Sequence, residues 1–178
     1  MRVLVDLDGV MADFCLAFTN LAANTGLVDA PWSTSQQPTW RFDFHVDPVW
    51  RVANDRLNWW MSLEPLVTPT EVEALNKASL SHSIWYVTNR SYGRGLPVET
   101  QSIEWLKSIG IKFPLVAVSI NKAETAQRLD LSVALEDKPD SLESLRNAGI
   151  LAVARRWEYN KDWEPSVGSV GEFIERYI

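Results

Sequence analysis

Two aspartates near the start of the chain have a spacing typical of a small acidic site. They are Asp6 and Asp8, and they follow the apolar run Val3–Val5, which is typical of a strand buried on both faces of a parallel sheet. Carboxylates two positions apart after a strand can point into one small volume, and Gly9 lets the backbone turn sharply beside a ligand. Because ligands bind at the carboxyl ends of strands in doubly wound sheets, this stretch predicts a chemical site. The alternative is an ordinary acidic turn.

Three later groups of polar residues fall at or just beyond the ends of predicted strands. Thr88 and Asn89 end the second strand, Lys122 follows the third, and Glu136 and Asp137 end the fourth. The carboxyl ends of parallel strands meet along one edge of a sheet, so these residues would lie beside the first acidic pair. One hydroxyl, one lysine and two acidic pairs are the components that phosphoryl transfer requires. Each group alone has an alternative interpretation as a solvated strand end or helix start.

The predicted elements alternate in the way that a parallel α/β sheet requires. Helices of roughly ten residues separate the strands, which implies βαβ units with right-handed crossovers. We therefore expect a Rossmann-like three-layer αβα domain, with Asp13 as the N-cap of its first helix. After the first strand, the predicted strands span residues 83–88, 115–119, 132–135 and 150–154, and the predicted helices span residues 14–25, 70–81, 97–109, 122–129, 139–148 and 170–177.

Residues 27–64 interrupt this alternation. The segment contains three prolines and five of the nine tryptophans of the chain. Its composition predicts turns and short helices around one longer helix over residues 49–61. We expect a small helical cap over the site, inserted between the two parts of an α/β core that comprises residues 1–26 and 65–178.

The residues around these acids resemble the motifs of a known superfamily. D-L-D-G-V at residues 6–10 resembles the first motif of the haloacid dehalogenase superfamily, and D-L-D-G-V-M-A-D-F at residues 6–14 resembles its 5'(3')-deoxyribonucleotidase branch. Thr88, Lys122 and the pair Glu136-Asp137 match the second, third and fourth motifs in order, so the resemblance covers almost the whole chain. It implies a haloacid dehalogenase-like fold, with the cap inserted after the first strand and helix.

The resemblance also implies a reaction, the hydrolysis of a phosphate monoester with Mg²⁺ as cofactor. Asp6 would be the nucleophile that forms an aspartyl-phosphate, and Asp8 would be the acid and base. The metal ligands would be the side chains of Asp6 and Asp137 and the backbone carbonyl of Asp8. The phosphate oxygens would be held by Thr88, Asn89 and Lys122.

Two departures from the nucleotidase pattern bear on the substrate. The fourth motif usually has two aspartates, and here Glu136 takes the place of the first. A second lysine, often found after the second motif, is missing from the corresponding stretch P-V-E-T-Q at residues 97–101. Arg90 and Arg94 are the candidates for the missing charge.

Aromatic residues near the site are candidates for contacts with a nucleobase. Phe14 matches the phenylalanine that faces the base in the nucleotidase branch, and Trp40, Trp59 and Trp60 are candidates for the other side of a slot. The alternative is that the tryptophans only form the core of the cap. The expected substrate is a nucleoside monophosphate. The runner-up is another small phosphate, such as a sugar phosphate, or a polynucleotide 3' end, and the third option is a non-catalytic nucleotide-binding protein on this fold.

The composition limits the partners of the protein. The chain has 178 residues, 46% of them hydrophobic, and a formal net charge of −6, so a broad electropositive surface for duplex nucleic acid is not expected. Cys15 is the only cysteine, which excludes an internal disulfide bond, and the sequence shows neither a signal peptide nor an apolar run of membrane-spanning length. We therefore expect a cytoplasmic protein with no membrane partner. Its oligomeric state stays open, a homodimer being one option.

Overall fold

A sheet of six parallel strands organises the computed structural model, which describes residues 1–178. The strands are β1 (Arg2–Val5), β2 (Ser83–Thr88), β3 (Leu115–Val118), β4 (Val133–Glu136), β5 (Leu151–Arg155) and β6 (Ser166–Val167). Their order in the sheet is β3-β2-β1-β4-β5-β6. Because β2 and β4 flank β1, the strand order reverses there, which opens a crevice at the carboxyl end of β1. This topology confirms the predicted α/β sheet. Strand β6 was not predicted, because two residues carry no hydrophobic period.

The chain has seven α-helices, and the bounds of all but one lie within about three residues of those predicted. Asp13 is the N-cap of the first helix, as expected, since its Oδ1 accepts a hydrogen bond from the Leu16 amide at 3.1 Å. None of the helices combines the length and the apolar character needed to span a bilayer. The helices are α1 (Phe14–Asn24), α2 (Asp47–Asp55), α3 (Pro69–Ala78), α4 (Val98–Ser108), α5 (Lys122–Arg128), α6 (Pro139–Asn147) and α7 (Val170–Tyr177), and 3₁₀ turns span Thr34–Gln36, Trp59–Met61 and Glu158–Asn160.

Alternate strand residues face two different helical layers. Val3 and Val5 of β1 belong to a buried cluster that includes side chains of α3, α4 and α7. Leu4, between them, belongs to a second cluster with side chains of α5 and α6. All three residues are fully buried. A continuous apolar strand is therefore covered on both faces, which confirms the three-layer architecture and holds the end of β1 rigidly.

The helix predicted over residues 49–61 is wrong in its extent. Helix α2 ends at Asp55, and a separate 3₁₀ turn begins at Trp59. Between them Asn58 has a left-handed backbone with φ of 54°. Its amide donates to the Arg94 carbonyl at 2.8 Å, and its Oδ1 accepts from the Leu96 amide at 2.8 Å. These bonds to a distant loop replace the bonds of a continuous helix, and no local pattern reveals them.

Residues 27–64 are attached to the core by polar and apolar contacts. Asp13 Oδ1 accepts from both the amide and the hydroxyl of Thr34 at 2.8 Å, so the cap of α1 also fixes the first 3₁₀ turn. Val49, Ala53 and Trp60 belong to the same buried cluster as the strands. The segment therefore packs as a continuation of the core, and its function as a cap stays a prediction.

Candidate active site

The carboxyl ends of neighbouring strands and the segment 27–64 enclose a pocket of about 500 Å³. Asp6 and Asp8 follow β1, Thr88 ends β2, Lys122 begins α5 after β3, and Asp137 follows β4. All five residues line the pocket. The parallel sheet thus brings together the polar residues that the strand ends were predicted to carry.

Three buried carboxylates form an acidic cluster at the base of this pocket. One oxygen each from Asp6, Glu136 and Asp137 lies within 4.8 Å of the others. The Lys122 ammonium lies 2.6 Å from Asp6 Oδ1 and 2.6 Å from Glu136 Oε2. Glu136 Oε1 also accepts from the backbone amides of Asp137 at 3.1 Å and Lys138 at 3.0 Å. The lysine therefore bridges two of the three carboxylates, and Glu136 uses its acceptor sites within the protein.

The pKa values of these groups reflect an excess of buried negative charge. Burial, followed by the charge of Glu136, raises the pKa of Asp6 well above its ordinary value. Burial and the same glutamate raise the pKa of Asp137 to about 8. Burial acts to lower the pKa of Lys122, but the charges of Asp6 and Glu136 outweigh it and raise that pKa. Because three carboxylates face one ammonium, the cluster favours a further cation.

The acceptor atoms that remain fit a hard divalent cation such as Mg²⁺. Asp137 Oδ1 is buried without a hydrogen-bond partner. Gly9, with φ of +86°, approaches Asp137 so closely that a Cβ at its position would lie 2.0 Å from Oδ2. Carboxylate oxygens are the ligands that Mg²⁺ prefers. Asp6 and Asp137 are thus the side chains that would hold the ion, whereas both oxygens of Glu136 already accept within the protein, Oε2 from Lys122 and Oε1 from two backbone amides.

Tyr159, which no motif singled out, contacts the acidic cluster. Its hydroxyl donates a short hydrogen bond to Asp137 Oδ2, and Asn160 Nδ2 donates to the Asp137 carbonyl at 2.8 Å. Trp157 Nε1 donates to the Gly9 carbonyl at 2.7 Å. The 3₁₀ turn after β5 therefore orients both acidic loops. The sequence feature that could have revealed Tyr159 is its position. The run R-R-W-E-Y-N begins at the end of β5, which lies beside β4 in the sheet.

Asp8 has partners of its own, separate from the acidic cluster. The Thr88 hydroxyl donates to Asp8 Oδ2 at 3.2 Å, and Arg90 donates to Oδ1 from Nη2 at 2.9 Å and to Oδ2 from Nε at 3.0 Å. The Arg90 side chain is 0% exposed and is absent from the pocket wall, as is that of Arg94. Neither arginine therefore has the position expected of a cation that meets a substrate phosphate.

The pocket wall carries other polar side chains that can meet a ligand. Asn89 is exposed and lies next to Thr88, as the strand end predicts. Arg41 and Lys138 also line the pocket, and Lys138 Nζ lies 5.5 Å from the centre of the Trp40 ring. These two cations, rather than Arg90 or Arg94, are placed to balance a second negative charge on a ligand.

The aromatic candidates divide into two groups. Phe14, Trp40 and Trp60 line the pocket, whereas Trp59 lies behind Trp60, with their ring centroids 4.7 Å apart. Phe14 and Trp60 are stacked with centroids 6.3 Å apart. Trp59 therefore has the position of a core residue and not of a base contact. We use the name aromatic wall for the pocket-lining phenylalanine and tryptophan rings, which are Phe14, Trp40, Phe42, Phe44, Trp50 and Trp60; the Tyr159 ring also lines the pocket, beside the acidic cluster.

Several solved structures resemble this chain, and two of them do so over nearly its whole length and theirs. One is a haloacid dehalogenase-like family hydrolase from Streptococcus pneumoniae, with 15% identity, a TM-score of 0.60 and coverage of 99% of this chain and 98% of that one. The other is CbbY from Rhodobacter sphaeroides in complex with phosphate, with 17% identity, a TM-score of 0.55 and coverage of 97% and 95%. No protein-family model matches the chain, and no curated protein matches it. The shared architecture shows that this chain has the haloacid dehalogenase-like fold that its motifs predict.

Proposed function

We propose that this protein is a Mg²⁺-dependent phosphomonoester hydrolase that uses Asp6 as its nucleophile. The observation that carries the proposal is the placement of Asp6 and Asp8 in one pocket with a buried lysine, Lys122, and a further acidic ligand, Asp137. A protein that only bound phosphate would need cations but not two carboxylates that face the same anion. The fold shared with a hydrolase from Streptococcus pneumoniae supports the same class of activity.

The reaction consists of two displacements at phosphorus. In the first, the Asp6 carboxylate bonds to phosphorus while the ester P–O bond breaks, and the leaving oxygen keeps the electron pair and takes a proton from Asp8. In the second, water attacks the phosphorus of the aspartyl-phosphate and gives a proton to Asp8, and the bond from Asp6 to phosphorus breaks. Inorganic phosphate leaves, and Asp8 ends the cycle protonated, as it began.

Cationic groups have to offset the repulsion between the substrate dianion and the carboxylates. When bound by the two aspartate side chains, Mg²⁺ supplies positive charge and orders the phosphoryl oxygens. The Lys122 ammonium, 2.6 Å from Asp6 Oδ1, presents a second positive charge beside the nucleophile. Together with the Thr88 hydroxyl and the Asn89 amide it binds the non-bridging oxygens. Lys122 also keeps Asp6 in place before substrate arrives.

The proposed substrate is a nucleoside monophosphate, which makes the activity that of a 5'-nucleotidase or 5'(3')-deoxyribonucleotidase. The pocket, about 500 Å³ in volume, is larger than a phosphate group requires, and the aromatic wall borders the carboxylates. Nucleobases stack on aromatic rings, whereas a sugar needs several polar partners for its hydroxyl groups. Most of the wall comes from residues 27–64, so the proposed function of this segment is that of a cap that selects the leaving group.

Release of inorganic phosphate from a panel of esters tests both levels of the proposal. The panel contains ribose and deoxyribose nucleoside 5'- and 3'-monophosphates, sugar phosphates and p-nitrophenyl phosphate, each assayed with Mg²⁺ and with EDTA. We expect turnover that EDTA removes and Mg²⁺ restores, with the highest kcat/KM on a nucleoside monophosphate. A preference for sugar phosphates would overturn the nucleotide assignment alone. No turnover of any ester would overturn the hydrolase itself.

A further inference from the structure

Arg90 carries a buried charge that the reaction described above does not use. Its side chain is 0% exposed, although charged side chains are rarely buried completely without a partner. The partner is Asp8, whose Oδ1 lies 2.9 Å from Nη2 and whose Oδ2 lies 3.0 Å from Nε. Two N–H groups of the planar Arg90 guanidinium thus donate to the two oxygens of the Asp8 carboxylate. This fork is the strongest and most directional form of an arginine–carboxylate contact.

The surroundings of Arg90 hold this fork in one place. Its Cζ lies 5.0 Å from the centre of the Trp60 ring and 5.5 Å from that of Trp105. The third side of the guanidinium donates from Nη1 to the Ser102 hydroxyl at 3.3 Å. Both tryptophans and the serine are buried. Arg90 therefore cannot reach the pocket unless the core opens, which excludes a direct contact with substrate in this arrangement.

We propose that Arg90 is a positioning residue that holds the Asp8 carboxylate in the orientation needed for proton transfer. This inference rests on the proposed function, in which Asp8 is the acid and base. The Asp8 side chain is 21% exposed, so it remains open to the pocket while Arg90 binds it from the buried side. The Thr88 hydroxyl, 3.2 Å from Oδ2, can donate to the carboxylate or accept from the protonated acid, whereas Arg90 can only donate. Arg90 donates to both oxygens of the ionised carboxylate and to the unprotonated oxygen of the acid, so it keeps at least one bond to Asp8 through the cycle.

Loss of this positioning has a signature that general damage to the protein lacks. Proton donation by Asp8 matters most when the leaving oxygen is basic, and it matters little for p-nitrophenolate, which is stable as an anion. The constant kcat/KM covers the steps up to formation of the aspartyl-phosphate, which is where the acid acts. A misplaced Asp8 therefore lowers kcat/KM for a poor leaving group and spares a good one.

The experiment compares phenyl phosphate with p-nitrophenyl phosphate, which have similar shapes and differ in the basicity of the leaving oxygen. Arg90→Lys keeps the charge but loses the fork, and Arg90→Met loses both. The matched control is Arg146→Met, which removes an arginine whose Cζ lies 3.7 Å from the centre of the Trp163 ring and which does not line the pocket. Circular dichroism of each variant reports whether the fold is kept.

We expect Arg90→Lys to lower kcat/KM for phenyl phosphate by about tenfold or more and for p-nitrophenyl phosphate by less than about threefold, since a positioned acid contributes roughly 10²–10⁴-fold. Arg90→Met should show the same contrast, and Arg146→Met should keep wild-type values on both esters. If Arg90→Met fails to fold, the contrast in the lysine variant alone decides the matter.

Testing the same substitution in the Asp8→Asn variant separates a positioning function of Arg90 from a structural effect. With Asp8→Asn the acid is already lost, so adding Arg90→Lys should cause no further loss on phenyl phosphate. Equal losses on both esters in the single variant, or a further loss in the double variant, would overturn the positioning function while the hydrolase stands. A wild-type protein that hydrolyses neither these two esters nor any other ester of the panel would overturn the hydrolase and this inference together.

Discussion

Two regions meet in the pocket, and different forces hold them. One is the aromatic wall, and the other, here called the sheet edge, is the carboxyl end of the strands with Asp6, Asp8, Glu136 and Asp137. At the sheet edge each carboxylate has a directed partner, as Lys122 lies 2.6 Å from Asp6 and Tyr159 binds Asp137. In the wall the rings hold one another by packing, as in Phe14 and Trp50 with centroids 5.7 Å apart. Directed bonds fix the position of single atoms, whereas packing fixes a surface. The first arrangement suits chemistry, and the second suits the selection of a ligand.

This difference determines how cleanly a substitution can test each region. At the sheet edge, replacing a carboxylate by the carboxamide of asparagine changes the chemistry and leaves the apolar core as it is. In the wall, truncating a buried ring such as Trp60, which is 2% exposed, opens a cavity that costs about 3–5 kcal/mol of stability. It also removes the surface on which Arg90 lies, 5.0 Å from its ring centre. Trp40, at 38% exposure, is the ring that can be removed with least damage.

The largest effect is expected from Asp6→Asn. A carboxamide has no anionic oxygen to attack phosphorus, so turnover of every ester should fall by about a thousandfold or more. The side chain keeps its shape. Burial disfavours the charged form of Asp6, as its raised pKa shows, so removal of the charge should leave the melting temperature near that of wild type. Phosphate release and a thermal melt measure the two quantities.

The control for this change is Asp140→Asn, at an exposed aspartate in the first turn of α6 that does not line the pocket. It should retain full activity. If Asp6→Asn keeps more than about a tenth of wild-type turnover, Asp6 is not the nucleophile. Covalent catalysis cannot retain that much activity once the attacking group is gone.

A smaller effect is expected from Tyr159→Phe, which tests whether the directed bonds at the sheet edge prepare the metal site. The change removes only the hydroxyl that donates to Asp137 Oδ2. Partners of metal ligands contribute about 10–100-fold to metal affinity, so calorimetric titration with Mg²⁺ should show a Kd raised by about tenfold. Tyr177→Phe, at the end of α7, is the control and should bind Mg²⁺ like wild type. An unchanged Kd for Tyr159→Phe would mean that the tyrosine only packs against the loop.

The sequence was sufficient to predict the sheet edge, because its placement follows from topology. Once β1 was recognised as a buried parallel strand, Asp6 had to emerge at its carboxyl end, and the same holds for Thr88 and Asp137 on their strands. Lys122 follows from the same rule as the first residue of a helix after a strand. Only short-range patterns and one general rule about parallel sheets were needed, and the structure places all four in one pocket.

The residues that the sequence could not place depend on contacts between distant segments. Tyr159 reaches Asp137 across 22 positions, and Arg90 reaches Asp8 across 82. The assignment of Trp59 to the core and Trp60 to the pocket depends on the break at Asn58, which bonds to residues 94 and 96 of another loop. Adjacent tryptophans have the same composition signal, so the sequence pattern alone does not tell which of the two rings lines the pocket.

The smallest effect is expected from Trp40→Ala, which tests whether the aromatic wall acts on specificity. The ring lines the pocket, forms an aromatic pair with Tyr159 at 5.6 Å between ring centroids, and lies 5.5 Å from Lys138 Nζ. Loss of one stacked base costs about 1–3 kcal/mol, so KM for a nucleoside monophosphate should rise by about tenfold, at the low end because the other rings remain. Turnover of glycerol 2-phosphate, which has no ring, should change little. Trp163→Ala, at a ring outside this pocket, should leave both substrates unaffected. An equal loss on both substrates would instead place the effect at the sheet edge, because it would have travelled through Tyr159 to Asp137 and not through the base.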